Sequence, residues 1–533
     1  MKRKLAFIMC MIMLAGVLAS CGNSSANAPA PSQAAPATSS APAASTAPAA
    51  SSAPAAPAPA ERKVKDTITL VNELEPDTLD PRRGNGVTNN IVMNLIYDSL
   101  VGQDDSFNPV PRLATSWEFL DDTHVKFELR DDVVFANGNA FTSSDVLFSF
   151  ARTKLDSTSQ STMSWYDEVN SYAEGDYTVV LAMHHPYAPI FSVLASGRCW
   201  IGDEDTMNEM GEENHARSPV GTGPYKMKEW VSGSSILLER NDNYWGEPAK
   251  TPYFLFKIVA EPTNRVIELE TKNADISLYI AGSDVSRVNS IDGYSAQQGA
   301  SEKYYLITMA MNNELLSDQR VRYALSHAID IQALADGAFD GTAHAMTGVY
   351  PSIVEHWKDM GGWEFNPEKA KQLLTEAGYP NGFDIELHIL PGTDYQRMAQ
   401  IVQAYWQAIG VNARIEQSVL ATREAQGPWE TSIRTATANE ISNILIIYEK
   451  AFGSRLAAND EHLESMLQEL KMTYDAADRK ALLSTIQDYI YEIRFSIPFA
   501  EVDTIYGVSD KIENYRFTPR IAYQNITEWV VYE

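Results

Sequence analysis

The chain has 533 residues, of which 44% are hydrophobic and 21% charged, and its formal net charge is −28 at pH 7. This length exceeds what one ordinary core organises, so at least two lobes are expected. So acidic a chain is a poor match for nucleic acid, which excludes that partner. Beyond the start of the chain no apolar run is long enough to span a bilayer, which excludes a polytopic membrane protein.

The first 20 residues have the pattern of an export signal. Three basic residues precede an apolar run from Leu5 to Ala19, which is too short for a membrane span. The run is followed by Ser20 and Cys21, a pattern that resembles a lipobox and implies cleavage before Cys21 and its lipidation. A plain signal peptide with an incidental cysteine is the alternative. Because Cys10 would leave with the signal and Cys21 would be lipidated, no second cysteine remains for Cys199, and no intramolecular disulfide is expected.

Residues 21–62 are predicted to be the lipidated cysteine and a tether. Residues 22–60 are almost entirely Ala, Pro and Ser. Such a composition buries too little apolar surface to offset the entropy of ordering, so disorder is expected. At about 3.1 Å per residue the tether would reach roughly 100 Å. The pattern indicates a folded domain that is held near a membrane.

A strand, a turn and a capped helix follow each other closely in the first third of the chain. Apolar and charged residues alternate over residues 124–130, which is typical of a half-buried strand. Asn137 and Gly138 favour a tight turn because both tolerate positive φ. Thr142 precedes Asp145 by three residues, which predicts a capping box and a helix that continues to about Lys154.

Strands and helices are expected to alternate through the rest of the folded chain. This order indicates α/β layers. The predicted strands are Thr67 to Val71, Thr178 to Met183, Tyr253 to Val259, Ala274 to Leu278, Tyr304 to Met311, Asp384 to Leu390 and Asn412 to Val419. The predicted helices are Asn90 to Leu100, Arg265 to Lys272, Asp318 to Asp336 after a cap at Ser317, one from Pro367 that ends before Gly378, one ended by Gly410, and Ala477 to Arg494.

Three groups of residues together point to a family. They are PRLATSWE with the later VVFANGNAFTSSDVLFSF, GTGPY with RNDNYWG, and MNNELLSDQRVRYALSHAID. Their order and spacing resemble the extracytoplasmic solute-binding proteins that serve peptide, dipeptide and nickel ABC importers. The glycine-rich GTGPY is a poor phosphate loop because no Lys-Ser/Thr follows it and Pro224 removes a backbone donor.

The resemblance implies an α/β, two-lobed fold of the periplasmic-binding-protein type (type II, Venus-flytrap). Lobe I is expected at residues 63–303 plus 506–533, with an extra subdomain at about 101–217. Lobe II is expected at residues 304–505. Closure of the two lobes over a solute would then form the binding site.

The resemblance also implies the function. Such a protein captures a solute, most suitably a short peptide, and delivers it to a membrane permease with its ATPase. Nickel, a metallophore or a sugar in the same fold, or a chemosensory role, are the alternatives. An exported hydrolase is the competitor from another class, but G-x-S-x-G and H-E-x-x-H are absent from the sequence, and no enzyme is expected. We expect a monomer without cofactor or metal, in an extracytoplasmic location, anchored by Cys21.

Candidate ligand contacts fall in three places. Asn85 follows the L-D-P turn, where turn formation is the alternative role. Trp165 and Tyr166 lie where family members touch ligand, and burial is the alternative. Arg434 and Glu440 occupy a region where peptide-binding relatives carry an arginine, a Gly-Trp pair and an aspartate.

The chain departs from that pattern because it has no Gly-Trp pair after Arg434, which puts recognition of a free peptide N-terminus in doubt. Arg434 could pair with a carboxylate and Glu440 with an amine, or both could be solvated loop charges. His184 and His185 would point to opposite faces if their strand continued, so they could not share a metal ion. The candidate ligand-binding residues are Asn85, Trp165, Tyr166, Trp429, Arg434, Asn439 and Glu440.

Overall fold

The structure is a computed structural model that describes residues 62–84, 86–104, 108–156, 159, 162–339, 341–354, 356–418, 430–437, 460–518 and 526–533. The predictions for the signal, Cys21 and almost all of the tether therefore lie outside the described residues. The same holds for four candidate contacts, namely Asn85, Trp429, Asn439 and Glu440. Among the described helices, none combines the length and the hydropathy that a bilayer crossing requires.

The described strands fall into one large sheet and three small ones. In chain order they are β1 (Thr67–Asn72), β2 (Val101–Gln103), β3 (Pro109–Pro111), β4 (Ala114–Asp121), β5 (His124–Leu129), β6 (Tyr166–Ala173), β7 (Thr178–Met183), β8 (Tyr225–Val231), β9 (Ser235–Arg240), β10 (Tyr253–Ile258), β11 (Ile276–Ser277), β12 (Tyr294–Met309), β13 (Ala343–Ala345), β14 (Asp384–Ile389), β15 (Asn412–Gln417), β16 (Thr431–Thr437), β17 (Ser496–Ser509), β18 (Ile512–Glu513) and β19 (Val530–Val531).

The described α-helices cover the sheets. In chain order they are α1 (Val87–Ile96), α2 (Ser143–Leu155), α3 (Ile190–Leu194), α4 (Glu204–Met210), α5 (Glu212–His215), α6 (Pro262–Glu270), α7 (Val285–Val288), α8 (Glu314–Ser317), α9 (Gln319–His327), α10 (Ile331–Phe339), α11 (Pro367–Glu376), α12 (Thr393–Gln407), α13 (Glu461–Met472) and α14 (Ala476–Ile493).

The large sheet has the strand order β15-β14-β16-β12-β17-β11-β1-β10-β9-β8, and β13 also pairs with β17. β1 is parallel to both of its neighbours, β10 and β11. β14 is likewise parallel to β15 and β16. The two long strands β12 and β17 run antiparallel through the middle of the sheet and connect these two parallel groups. The two halves of the large sheet, one on the side of β11 and one on the side of β16, therefore share this single pair of strands.

Separate hydrophobic cores form on the two sides of this pair. One core contains residues between Tyr304 and Ala500, and we call the region built on it lobe II. The other cores belong to the region we call lobe I: one around β1 and β8 to β11, one under α6, and one beneath the sheet β4-β5-β7-β6. We call this last part the small-sheet region. The exact boundaries at 303/304 and 505/506 stay predictions.

The local signals of the small-sheet region predicted its structure well. Residues 124–129 form β5, whose apolar side chains are buried. Gly138 takes a φ of 97°, as the predicted turn requires. The Asp145 carboxylate accepts from the Thr142 N–H at 2.8 Å and from its hydroxyl at 3.1 Å, and α2 begins at Ser143. Short-range hydrogen bonding therefore determines where this helix starts.

Other element boundaries differ from the prediction. α1 begins at Val87 and ends at Ile96, because Tyr97 is already extended. The predicted cap at Ser317 is wrong: Asn313 and Asp318 cap two separate helices, α8 and α9. The helix is interrupted again between His327, where α9 ends, and Ile331, where α10 begins. β12 begins at Tyr294, ten residues before the predicted strand, since its first half pairs with β17 rather than with a sequence neighbour.

We predict that His215 makes folding sensitive to mild acid. Its imidazole is 1% exposed, and burial lowers its pKa to about 4 from an ordinary 6.5. On acidification His215 is protonated in the unfolded chain before it is protonated in the folded one. The contribution of neutral His215 to the free energy of unfolding is therefore complete above about pH 6.5 and is lost as the pH falls toward 4. We expect about 2 kcal/mol of lost unfolding free energy between pH 7.5 and pH 5 from this group.

Urea denaturation at several pH values measures this contribution. His215→Gln should flatten the dependence on pH, whereas the same change at His462, an exposed histidine, should leave it as in the parent. Equal slopes for the parent and His215→Gln would contradict the assignment.

Candidate functional site

Strand direction identifies the gap between the lobes as the candidate site. The carboxyl end of β11 lies toward the middle of β17, where the Ile280 N–H donates to the Ile505 carbonyl. The carboxyl end of β16 reaches Lys303 of β12 from the opposite side, with Thr437 as its partner. The parallel strands of both lobes therefore end at the same gap. Ligands of open α/β sheets bind at such carboxyl ends.

The register of the two central strands changes at this gap. β12 and β17 pair continuously up to Ala300, pairing resumes at Tyr304 after a shift, and a second shift follows between Tyr305 and Leu306. The intervening Ser301, Glu302 and Lys303 cross from one lobe to the other. An irregular pairing of this kind locally relaxes a ladder, and a hinge between two rigid halves requires such a segment.

The wall of lobe I presents aromatic rings beside carboxylates. Tyr279 follows β11 and packs with its ring centroid 6.1 Å from that of Tyr506. The pKa of Tyr279 is raised to about 12, first by burial and then by the negative charges of Glu73 and Glu302. Tyr279 also has a φ of 53°, which is rare for a residue with a large side chain. Such strain persists where the surrounding structure fixes it, commonly beside ligand sites.

The wall of lobe II presents aromatic rings beside cations. Tyr305 of β12 lies 5.9 Å from Tyr395 between ring centroids, and the Lys303 ammonium lies 5.3 Å from the Tyr305 ring. The pKa of Tyr395 is raised to about 12 by burial and by Tyr305, although the positive charges of Lys303 and Arg434 oppose this rise. Arg434 is a buried residue of β16, opposite Leu306 of β12.

A buried carboxylate adjoins the gap on β17. Glu501 is 6% exposed and accepts from the Ser352 hydroxyl at 2.9 Å and from the Ser352 N–H at 3.2 Å. Burial raises the pKa of Glu501 despite these hydrogen bonds. Next to it, His344 Nε2 lies 3.1 Å from Asp503 Oδ1. These contacts tie the loops of lobe II to the central strand beside the gap.

Both walls therefore carry an aromatic ring and a carboxylate. Glu73 lies beside Tyr279 in lobe I and Glu501 lies on β17 beside lobe II, and the cations Lys303 and Arg434 also lie toward lobe II. Aromatic faces provide apolar area while fixed charges orient a polar ligand. The arrangement suits a solute that carries an amine and a carboxylate.

The structure places Trp165 and Tyr166 in the core of the small-sheet region. Trp165 is 0% exposed and Tyr166 is 1% exposed. Both pack edge-to-face on Phe150, with centroid distances of 6.4 and 5.7 Å. This burial supports the packing alternative for both residues, and their contact with a ligand stays a prediction without structural support.

The prediction of site residues missed Tyr279, Tyr395 and Lys303. Each has an ordinary local sequence. The position of β11 places Tyr279, β12 contains Lys303, and the first turn of α12 places Tyr395 against Tyr305. The one available signal was position directly after a predicted strand, which applies to Tyr279. The histidine pair follows β7, which ends at Met183, and His184 Nδ1 lies 3.5 Å from an Asp167 carboxylate oxygen. Among the described residues, no group of three potential metal ligands occurs.

A family model described as bacterial extracellular solute-binding proteins, family 5, middle part, matches residues 108–442. The glutathione-binding protein GsiB of Shigella dysenteriae serotype 1 is 25% identical over 477 residues, which cover 85% of this chain and 92% of that protein.

Solved structures share the fold. The periplasmic binding protein DppA of Helicobacter pylori, in complex with the peptide STSA, has a TM-score of 0.73 at 22% identity, covering 88% of this chain and 99% of that one. NikA of Brucella suis, in complex with Fe(III)-EDTA, has a TM-score of 0.77 at 20% identity, covering 88% of this chain and 100% of that one.

We predict that Gly282→Ala destabilises the present arrangement of the lobes. A Cβ at Gly282 of lobe I would lie 2.3 Å from the Thr342 Cγ2 of lobe II. Thr342 cannot easily move, because its hydroxyl donates to the Phe339 carbonyl and its own carbonyl accepts from the Asp503 N–H. We expect about 1–3 kcal/mol of strain, which the lobes can relieve by moving apart.

Small-angle scattering should therefore show a larger radius of gyration for Gly282→Ala than for the parent. Adding Thr342→Ser removes the opposing methyl group, keeps the hydroxyl and should restore the parent value. A scattering curve that is identical for the parent and the single variant would contradict the close approach in solution.

Proposed function

Because the chain belongs to the bacterial extracellular solute-binding proteins of family 5, we propose that it captures a short peptide between its lobes. Members of this family are extracytoplasmic substrate-binding components of ABC transporters, which implies a permease and an ATPase as partners. The observation that carries the peptide proposal is the gap itself, which has Tyr279 on one side, Tyr395 on the other, and both carboxylates and cations beside it. A peptide offers both end charges and apolar side chains to such a gap.

Similar proteins give this proposal its support. GsiB is named for glutathione, itself a short peptide, and DppA of Helicobacter pylori was solved with a peptide. Water can fill side-chain pockets of varied size while backbone groups are hydrogen-bonded, so a peptide site tolerates several sequences. Nickel complexes are the second ligand class, in view of the fold shared with NikA. The test must therefore include both.

Arg434 is proposed to bind the peptide carboxylate. Its guanidinium is held on a strand of lobe II, near Tyr395, at the carboxyl-end side of the sheet. A planar guanidinium pairs with a carboxylate through two parallel hydrogen bonds, and little entropy is lost because the strand already fixes the side chain. Asn85, Trp429, Asn439 and Glu440, which lie outside the described residues, are proposed as further ligand contacts.

Thermal shift with tri- and tetrapeptide pools tests the ligand class. Some peptides should raise the melting temperature in a concentration-dependent manner, because they bind only the folded chain. Bound peptide should be recovered intact, since we propose a binding protein and not an enzyme. No shift with any peptide, together with a shift from nickel–histidine complexes, would replace the peptide by the nickel class.

A pair of peptides tests the role of Arg434. For a peptide that binds, amidation of its carboxyl terminus should weaken affinity about 10- to 100-fold in the parent. Arg434→Gln should weaken the acid form by a similar factor and leave little difference between acid and amide. Arg414→Gln, on the exposed side of β15, serves as the matched control. An unchanged preference for the acid form in Arg434→Gln would contradict this role.

Anchoring through lipidated Cys21 is proposed from the signal pattern. A single acyl-modified cysteine followed by a long tether would keep the folded part near the membrane and within reach of the permease. The folded part is proposed to act as a monomer.

Fractionation of cells tests the anchor. Cys21→Ser should remove palmitate label and shift the protein from the membrane fraction to the soluble extracytoplasmic fraction. Cys199→Ser, at a buried cysteine, should keep both label and location. Label that persists in Cys21→Ser would contradict the assignment.

A further inference from the structure

A loop of the small-sheet region with a proline at each end contacts lobe II. Pro186 and Pro189 have no backbone N–H, so Tyr187 and Ala188 provide the two consecutive donors between them. The Tyr187 N–H donates to the hydroxyl of Tyr474 at 2.7 Å, and the Ala188 N–H donates to the carbonyl of Lys471 at 2.6 Å. Both donors of this loop thus point toward lobe II.

The accepting turn in lobe II is fixed at both ends. Lys471 lies in the last turn of α13, where carbonyl groups have no partner within the helix. Asp475 caps the next helix, α14, by accepting from the N–H groups of Ala477 and Asp478, each at 2.9 Å. Tyr474 stands between these two helix ends. The acceptors therefore hold their positions without help from lobe I.

Aromatic contacts support the same meeting point. Phe119 of β4 packs edge-to-face on Tyr474 with a centroid distance of 5.6 Å, and Phe191 packs on Phe119 at 5.9 Å. On the other side of the loop, the Tyr187 ring stacks on buried Trp165 at 6.3 Å. The loop is thus supported from within its own core, so its two donors are positioned before they meet lobe II.

We infer that this contact is an interlobe latch that stabilises the present arrangement of the lobes. It consists of Phe119, Tyr187 and Ala188 on one side and Lys471 and Tyr474 on the other. In the part of the chain that the structure describes, β12 and β17 are the only segments that pass between the lobes. Rotation about them would break both hydrogen bonds and the aromatic contact together. The latch would thereby slow solute release without touching the solute.

Hydrogen exchange of the purified protein without added solute tests the latch, so the result does not depend on the proposed peptide ligand. Tyr474→Phe removes the acceptor of the Tyr187 N–H but keeps the ring on Phe119. The acceptor of the Ala188 N–H, a main-chain carbonyl, is unchanged. If the contact acts as a unit, the Ala188 amide should nevertheless exchange about fivefold faster, since each net hydrogen bond is worth about that factor.

Scattering provides the second measurement. The radius of gyration should rise for Tyr474→Phe and rise further when Phe119→Ala is added. Tyr172→Phe, at an exposed tyrosine of the same small sheet, should match the parent in both measurements. Faster exchange confined to Tyr187, with unchanged scattering, would show a local role and overturn the latch. An Ala188 amide that exchanges in the parent as in an unstructured peptide would also overturn it.

Discussion

The antiparallel pairing of β12 with β17 is the interaction on which the rest of the molecule depends. One half of the pair joins the sheet of lobe I through β11, and the other half joins the sheet of lobe II through β16. Because each strand belongs to both halves of the large sheet, the pair sets the direction of the strands that join it on either side. The parallel groups of the two lobes are thereby turned so that their carboxyl ends meet at one gap. The position of the site is a consequence of this pairing and not of any single motif.

The segment between the two halves of β12 brings opposite charges to the gap. Glu302 and Lys303 are adjacent in sequence, within the stretch where the pairing of β12 with β17 changes register. Glu302 raises the pKa of Tyr279 on the lobe I wall, while Lys303 lies against Tyr305 on the lobe II wall. In the low dielectric of a closed gap, fixed charges of this kind act more strongly than they do in water. A dipolar solute that bridges the walls is therefore favoured over an apolar one.

How far the sequence predicted the molecule depends on the range of the interaction. The Thr142–Asp145 capping box and the helix start at Pro367, which Asn366 caps, involve residues within three positions, and both the box and the helix start occur as predicted. The first half of β12 was missed because it forms by pairing with the distant strand β17. The cap at Ser317 was wrong because the neighbouring Asp318 caps α9 instead. The candidate ligand contacts were the least predictable from the sequence. Arg434 lies on β16 opposite Leu306, and its contact with a ligand stays a prediction, whereas Tyr279 and Tyr395 depend on how β11 and α12 are placed in the folded chain.

Trp165 illustrates how a residue can matter to binding without reaching the ligand. Its complete burial gives it no surface for a solute, yet its ring stacks on Tyr187, whose backbone meets Tyr474 of lobe II. The two prolines around Tyr187 restrict the loop before folding, so less entropy is lost when the loop is ordered against the other lobe. An aromatic core residue, a stiff loop and a capped helix turn thus form one continuous support between lobes. The small-sheet region does not line the gap, but through this support it can still favour closure of the lobes. A ligand and an interlobe contact that favour the same closed state add their free energies.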